Sequence, residues 1–417
     1  VGKLAALVLD SGSRIRFGGL TAAERAVIGA ARAGLSPILV CGSRPFSQDL
    51  VRRLLPLNPS LVPLETGRTL DGIPGDAGVL VIGPDVLAEP RAIAMLAGQT
   101  DAASGRATVI REAGVPLMMR VPAEEISRIR MAASIDEMAD GFAQAGRLED
   151  TSLPEAFCRR LRSRTPVRYL ERLYLRRTNG GSHESFFTQI IRRFSVPLSI
   201  RLARAGVRPA QVTLAGLALA VASAWCLAQG HYGLGVAGGL LYYASMIMDC
   251  SDGEVARLTL RDSAFGAWLE TMVDYSTYLF VLGALVIASA ATPRADAHLT
   301  AAGIALAGSL VVIGVASYLR RRVAGADPGQ FDESSARALK SAGRLHRFAR
   351  WGRQWIKRST MAHLILALAL VGQLTALLYL WAFGATVAAV VILAVSPFVV
   401  HHVGPAPAGR PGAGQVA

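Results

Sequence analysis

Four carboxylates and one guanidinium recur at helical spacing within a strongly apolar stretch of this chain. Asp249 and Asp252 lie three residues apart, Arg257 follows, and Gly266, Glu270 and Asp274 come at intervals of four. Residues three or four apart share a helix face, so the first pair and the later trio each form a stripe. Acidic groups inside a membrane span are costly and mark a functional site by default. Four that converge cannot all stay ionised and unpaired in a low dielectric. Divalent ions would resolve this, and an all-oxygen set suits Mg2+ or Mn2+ better than zinc. Two such ions could clamp a pyrophosphate while a nearby carboxylate takes the proton of an attacking hydroxyl. Gly253 and Gly266 let a nucleotide or a neighbouring helix approach the backbone. Arg257 is placed to meet a phosphate or to pair with one of the acids. The bland alternative is a set of buried structural ion pairs or a cation pathway.

The elements that must position these groups are long apolar helices. Hydrophobic residues make up 52% of the 417 residues and the mean hydropathy is +0.38, high for a soluble enzyme. About 20 apolar helical residues are needed to cross a hydrocarbon core. Six stretches reach that length, near 210–229, 233–257, 263–291, 298–319, 360–381 and 383–402. The short polar run Leu258–Ser263 predicts a tight turn, so the two acidic faces could meet in a helical hairpin. An amphipathic segment, Ser185–Ala205, precedes the first span and reads as an interfacial helix with its arginines toward phosphates.

Positive charge decides the expected orientation. The connections near 230–232, 292–297 and 382 hold only Arg294, whereas the other side carries Arg320–Arg322 and the basic loop Arg337–Arg358. That side is expected to be cytosolic, together with the N-terminal part and the acidic site. The net charge of +14 fits anionic membrane lipids. The loop's aromatics, including Trp351 and Trp355, sit among arginines between two spans, which favours lipid over nucleic acid. The glycines of Gly233–Gly239 suit a homodimer or close packing within one chain. Four scattered cysteines and seven histidines form no ligand motif.

The order and spacing of the acidic run resemble the signature of the CDP-alcohol phosphotransferase family, Asp-x2-Asp-Gly-x2-Ala-Arg-x8-Gly-x3-Asp-x3-Asp. Seven of its eight fixed positions match, and Glu270 stands where the family has Asp. The resemblance covers roughly Ser185–Val403. It implies six transmembrane helices with a preceding interfacial helix, and transfer of a phospho-alcohol, of phosphatidyl or phosphoinositol type, from a CDP-alcohol donor to a hydroxyl acceptor with release of CMP. It assigns metal binding to Asp249, Asp252, Glu270 and Asp274, nucleotide contacts to Asp249, Gly253, Ala256, Arg257 and Gly266, and the general-base role to Asp274. The family often shows Pro-Asn before the first span, where this chain has Pro209-Ala210-Gln211.

Upstream, apolar runs at Leu4–Leu9, Pro37–Cys41, Val79–Ile82 and Thr108–Ile110 alternate with helical patterns at Thr21–Ala33 and Arg91–Ala97. This predicts an α/β domain with a parallel or mixed sheet covered on both faces. Its opening, with Gly12, Ser13, Arg14 and Gly18-Gly19, resembles a degenerate sugar-phosphate nucleotidyltransferase, and Asp85 falls where such enzymes place a metal-binding acid. The expected organisation is an α/β domain at 1–147, a basic linker at 148–184, a six-helix membrane domain at 185–403 and a disordered tail at 404–417. Two alternatives stand beside the transferase alone. One is a bifunctional enzyme that also makes the CDP-alcohol, and the other a membrane-tethered binding protein with a structural acidic cluster.

Overall fold

The computed structural model describes residues 4–13, 15–42, 48–57, 60–64, 78–99, 106–128, 134–152, 156–161, 166–179, 185–290, 292–324 and 358–403. Arg14, most of the basic loop and the segment 404–417 lie outside the described residues.

The N-terminal part is built on a seven-stranded mixed sheet in the order β3-β2-β1-β4-β7-β6-β8. Its strands are β1 (Ala5–Leu9), β2 (Ile38–Cys41), β3 (Leu61–Leu64), β4 (Val79–Ile82), β6 (Ala107–Glu112), β7 (Val115–Val121) and β8 (Leu148–Thr151). β5 (Val86–Ala88) and β9 (Cys158–Arg160) form a separate antiparallel pair. Strands β1 to β4 run parallel, and β7 enters antiparallel to β4. The near-continuous apolar runs of β1 and β4 follow from burial on both faces. Helices α1 (Ala22–Arg32) and α3 (Pro90–Ala97) pack on one face, with Ala26, Val27 and Ile93 against Val8 and Leu80. The other face takes α4 (Ile135–Gln144). Capping boxes start α1 and α4: Thr21 and Glu24 exchange hydrogen bonds across the first turn, as do Ser134 and Glu137. Between β2 and β3 lies α2 (Gln48–Leu54).

The expected linker contains structure. β8 is an edge strand of the main sheet, β9 pairs with β5, and α5 (Val167–Thr178) buries Leu170, Tyr174 and Leu175. Its alternation of arginine with Leu and Tyr is an amphipathic helix pattern, legible only once the face against Phe17 and Phe157 exists.

The C-terminal part is helical: α6 (Phe186–Arg204), α7 (Pro209–Ala228), α8 (Tyr232–Thr259), α9 (Ala264–Ser289), α10 (Ala295–Ala324), α11 (Arg358–Val371) and α12 (Ala376–Val403). Among the described residues four segments are long and apolar enough to cross a membrane: Pro209–Ala228, Ala264–Ser289, Ala295–Leu319 and Ala376–Ala394. Trp225, Ile287 and Phe383 point outward from three of them, more than 60% exposed, as a hydrocarbon surrounding requires. α8 falls outside that measure because its first half is rich in Gly and Tyr and its second half is charged. α11 has 14 residues, about 21 Å against a core of about 30 Å. The connection expected at 382 lies inside α12, and the chain turns instead after Gly372, whose φ of +73° favours glycine.

The glycines of α8 are used within the chain. A side chain at Gly238 would meet Leu227 of α7 at 2.8 Å, and one at Gly239 would meet Leu366 of α11 at 3.3 Å. Ser223 and Ser245 complete the α7–α8 seam by donating to the carbonyls of Gly238 and Gly216.

Candidate functional site

The acidic run occupies the last third of α8 and the first half of α9. α8 ends where Leu260 takes a left-handed conformation, φ +52°. Ser263 then caps α9, its hydroxyl accepting from the Gly266 N–H at 3.1 Å. The turn is as tight as expected. The two helices nevertheless make little direct contact beyond it, and each lies against α7.

The acids meet through a residue from elsewhere. Arg358, at the start of α11, donates from Nη1 to Asp249 Oδ1 at 2.7 Å and to Asp274 Oδ1 from the same atom. Its side chain is 9% exposed and lies on the face of the Tyr278 ring. Two carboxylates from different helices therefore point at one cationic atom. Asp252 is buried and accepts from Thr213 Oγ1 on α7 at 2.7 Å and from the Gly253 N–H. Glu270 is exposed. Among the described residues no three His, Cys, Asp or Glu side chains come close enough together to hold a metal ion.

Gly253 is occupied as well. A side chain there would meet the Arg257 guanidinium at 3.3 Å, so glycine makes room for an arginine on its own helix. Arg257 donates from Nη2 to Asn179 Oδ1 at 2.6 Å. The Ala256 carbonyl closes the helix end by accepting from the Arg261 N–H at 2.9 Å.

Sequence reasoning missed the best-satisfied carboxylate of the region. Glu254 is wholly buried and accepts from Arg192, Ser195 and Ser199 of α6 and from Asn179, at 2.7 to 3.1 Å. Asn179 thus links Glu254 to Arg257. The available signal was a fifth acid between two matched positions, on a different face of α8 from Asp252. On α6, Arg192 and Arg204 turn inward to Glu254 and Glu171, while Arg193 and Arg201 are exposed, so only part of its charge is free to face phosphates.

The α/β part grips the end of this same helix. Arg25, Arg53 and Arg32 donate to the consecutive carbonyls of Leu258, Thr259 and Leu260, and Arg32 also pairs with Asp262 at 2.7 Å. Carbonyls at a helix C-terminus lack intrahelical partners, and cations there also complement the helix dipole. Gly18, at φ +57°, lies so close that a side chain there would strike the Leu258 carbonyl. Burial lowers the Arg25 pKa from its ordinary value.

A second cluster sits at the ends of β1 and β4, where the strand order changes direction. Ser11 Oγ donates to Asp85 Oδ1 at 2.7 Å, and the Gly12 N–H donates to Asp10. Crevices at such switch points are the usual ligand sites of open α/β sheets.

The chain is similar to archaetidylinositol phosphate synthase of Methanothermobacter thermautotrophicus, with 37% identity over 89 residues. The match covers 21% of this chain and 42% of that protein, so the chain spans less than half the length of the relative it matches. No family model matches the chain.

Proposed function

We propose that this chain is a membrane-embedded CDP-alcohol phosphotransferase, moving a phospho-alcohol from a CDP-alcohol to a hydroxyl acceptor and releasing CMP. The observation that carries the reading is the ordered run from Asp249 to Asp274 along α8 and α9. The partial likeness to archaetidylinositol phosphate synthase supports it.

The donors fit a hard divalent cation in kind, being carboxylate oxygens, two of which already face one cationic atom. Asp249, Asp252, Glu270 and Asp274 would hold Mg2+ or Mn2+, which would neutralise charge on the pyrophosphate and its leaving phosphate. Asp249, Gly253, Ala256, Arg257 and Gly266 would receive the nucleotide. Asp274 accepts the proton of the acceptor hydroxyl. The oxygen so freed bonds to the phosphorus beside the alcohol as the bond to CMP breaks. Arg358 donates to Asp274, so this carboxylate must be released from the guanidinium before it can receive the proton. The substrate phosphates, competing for that guanidinium, supply the means. Purified protein with Mg2+ should release CMP from CDP-diacylglycerol, CDP-inositol or a related donor. No CMP from any donor, or full turnover in Asp274→Asn, would overturn the reading.

The Ser11–Asp85 contact at the sheet's switch point favours a second activity, formation of the CDP-alcohol in the α/β part. Full-length protein given CTP and an inositol or sugar phosphate would then release pyrophosphate, and Asp85→Asn would not. Absence of pyrophosphate with all such phosphates removes this activity and leaves the transferase reading untouched.

A further inference from the structure

Between α9, α10, α11 and α12 lies a cavity of about 410 Å³. Leucines, Met361 and Trp381 supply much of its wall, and among the described residues no charged side chain lines it. The polar atoms of Ser309 and Trp381 are taken up within the wall. Trp381 Nε1 donates to Ser309 Oγ at 3.3 Å, and that hydroxyl donates to the Ala305 carbonyl at 2.7 Å. Apolar cavities exclude water and take apolar guests, and the volume lies in the range of small-molecule sites, roughly 300–1,000 Å³.

Shape and position narrow the guest. The wall runs along α12 from Leu377 to Ala388, about 16 Å of helix axis, which suits an extended hydrocarbon chain. Leu279, Leu310 and Leu380 belong to the wall and are exposed, so the cavity opens between the helices toward surrounding hydrocarbon. One end meets the acidic run. Tyr275 follows Asp274 directly, Tyr278 lies one turn on with the Arg358 guanidinium over its ring, and Met361 is one turn beyond Arg358. A guest with an apolar tail and a polar head therefore has its head at Asp274 and Arg358.

The side of the site on which the cavity lies selects the substrate that owns the tail. Its described wall takes nothing from α8, where Gly253 and Arg257 would receive the nucleotide. In-line displacement puts the attacking oxygen opposite the leaving one. With CMP departing along α8, the acceptor arrives from the side of α9 and α11. We propose that the cavity holds the hydrocarbon chain of the acceptor, a lipid alcohol whose hydroxyl lies at Asp274, while the donor carries a polar alcohol. The inference rests on the transferase reading and adds to it the class of acceptor.

The test uses full-length protein in neutral detergent. Monooleoylglycerol with a diazirine in its chain should, on illumination, label Met361 and Trp381. A Cβ at Gly384 meets nothing within 4 Å, so Gly384→Leu fills the cavity and should cut that labelling several-fold. Gly303 is equally free of neighbours but outside the wall, and Gly303→Leu should label as wild type does. Should Gly384→Leu unfold, excess unlabelled monooleoylglycerol takes its place and must suppress the wall label where glycerol does not. With Mg2+ and CDP-inositol or CDP-glycerol, CMP release should be roughly tenfold faster with monooleoylglycerol than with glycerol, because binding energy of the remote chain serves the reaction. Labelling confined to outward-facing residues such as Trp225, or glycerol accepting as well as monooleoylglycerol, would overturn the proposal alone. Displacement of the label by CDP-diacylglycerol, with glycerol or inositol phosphate as the better acceptor, would give the tail to the donor and overturn it too. No CMP from any donor removes the transferase reading and the acceptor role with it, even where the wall is labelled.

Discussion

Arg25 on α1 donates to the main-chain carbonyl of Leu258 on α8, 233 residues further along the chain. The guanidinium is wholly buried and lies over the rings of Phe17 and Tyr174, which meet edge to face beside it. The α/β part is thereby fixed to the helix that carries Asp249 and Asp252. Replacing Arg25 by Met keeps much of the volume and leaves the buried Leu258 carbonyl without its donor, a cost of about 1–3 kcal/mol. Hydrogen exchange should accelerate at the amides of Gly18 and Arg261 while β1 and β4 stay protected. Unchanged exchange at the seam would show that Arg25 does not hold it.

Arg358 supplies the positive charge between Asp249 and Asp274. Arg358→Gln leaves two partly buried carboxylates facing each other, and breaking a buried pair costs about 3–5 kcal/mol. The expected result is a lower thermal midpoint in EDTA that Mg2+ restores in the variant more than in the wild type. A midpoint insensitive to Mg2+ in both proteins would argue that the acids are purely structural. Asp249→Asn should in turn weaken Mg2+ binding measured by calorimetry, whereas a structural cluster predicts no change.

Glu254 positions Arg257 through Asn179. Glu254→Gln keeps the shape but removes the charge opposite Arg192, at a cost of about 3–5 kcal/mol if the guanidinium stays buried. Because Arg257 would lose its fixed direction, KM for the CDP-alcohol should rise several-fold while kcat changes little. Equal losses in both would point to a general loosening of α8.

Burial pushes the Cys158 thiol up to about 12 from an ordinary value of 9.0. A group whose folded pKa is raised stabilises the fold fully below its unfolded pKa and loses that contribution as pH rises through the folded value. The window here runs from about pH 9 to about pH 12. At pH 9 the native thiol should alkylate far more slowly than the same thiol in urea, since thiolate is the reactive form. Equal rates would mean that Cys158 is solvated in the folded protein.

Much of the helical part was legible from local pattern. Apolar length located α7 to α10 to within a few residues, and the polar turn placed α8 and α9 as neighbours in sequence. The helical pattern at Thr21–Ala33 located α1, and the structure adds the capping box of Thr21 and Glu24 that starts it. The end of α11 was misjudged because one apolar run continues through Gly372 into α12, and hydropathy does not register a change of direction made by one positive φ.

The sequence by itself determined which acids share a helix face, since a helix maps spacing onto direction with no help from the rest of the protein. Only the tertiary structure decided what those faces meet. Arg358 is 109 residues from Asp249, and Glu254 finds its partners on α6 and at the end of α5. The arginine cap on α8 comes from a different structural unit altogether. Such pairings follow from how elements pack, and the energy that selects them, the cost of leaving a buried charge or carbonyl unpaired, has no counterpart in local residue spacing.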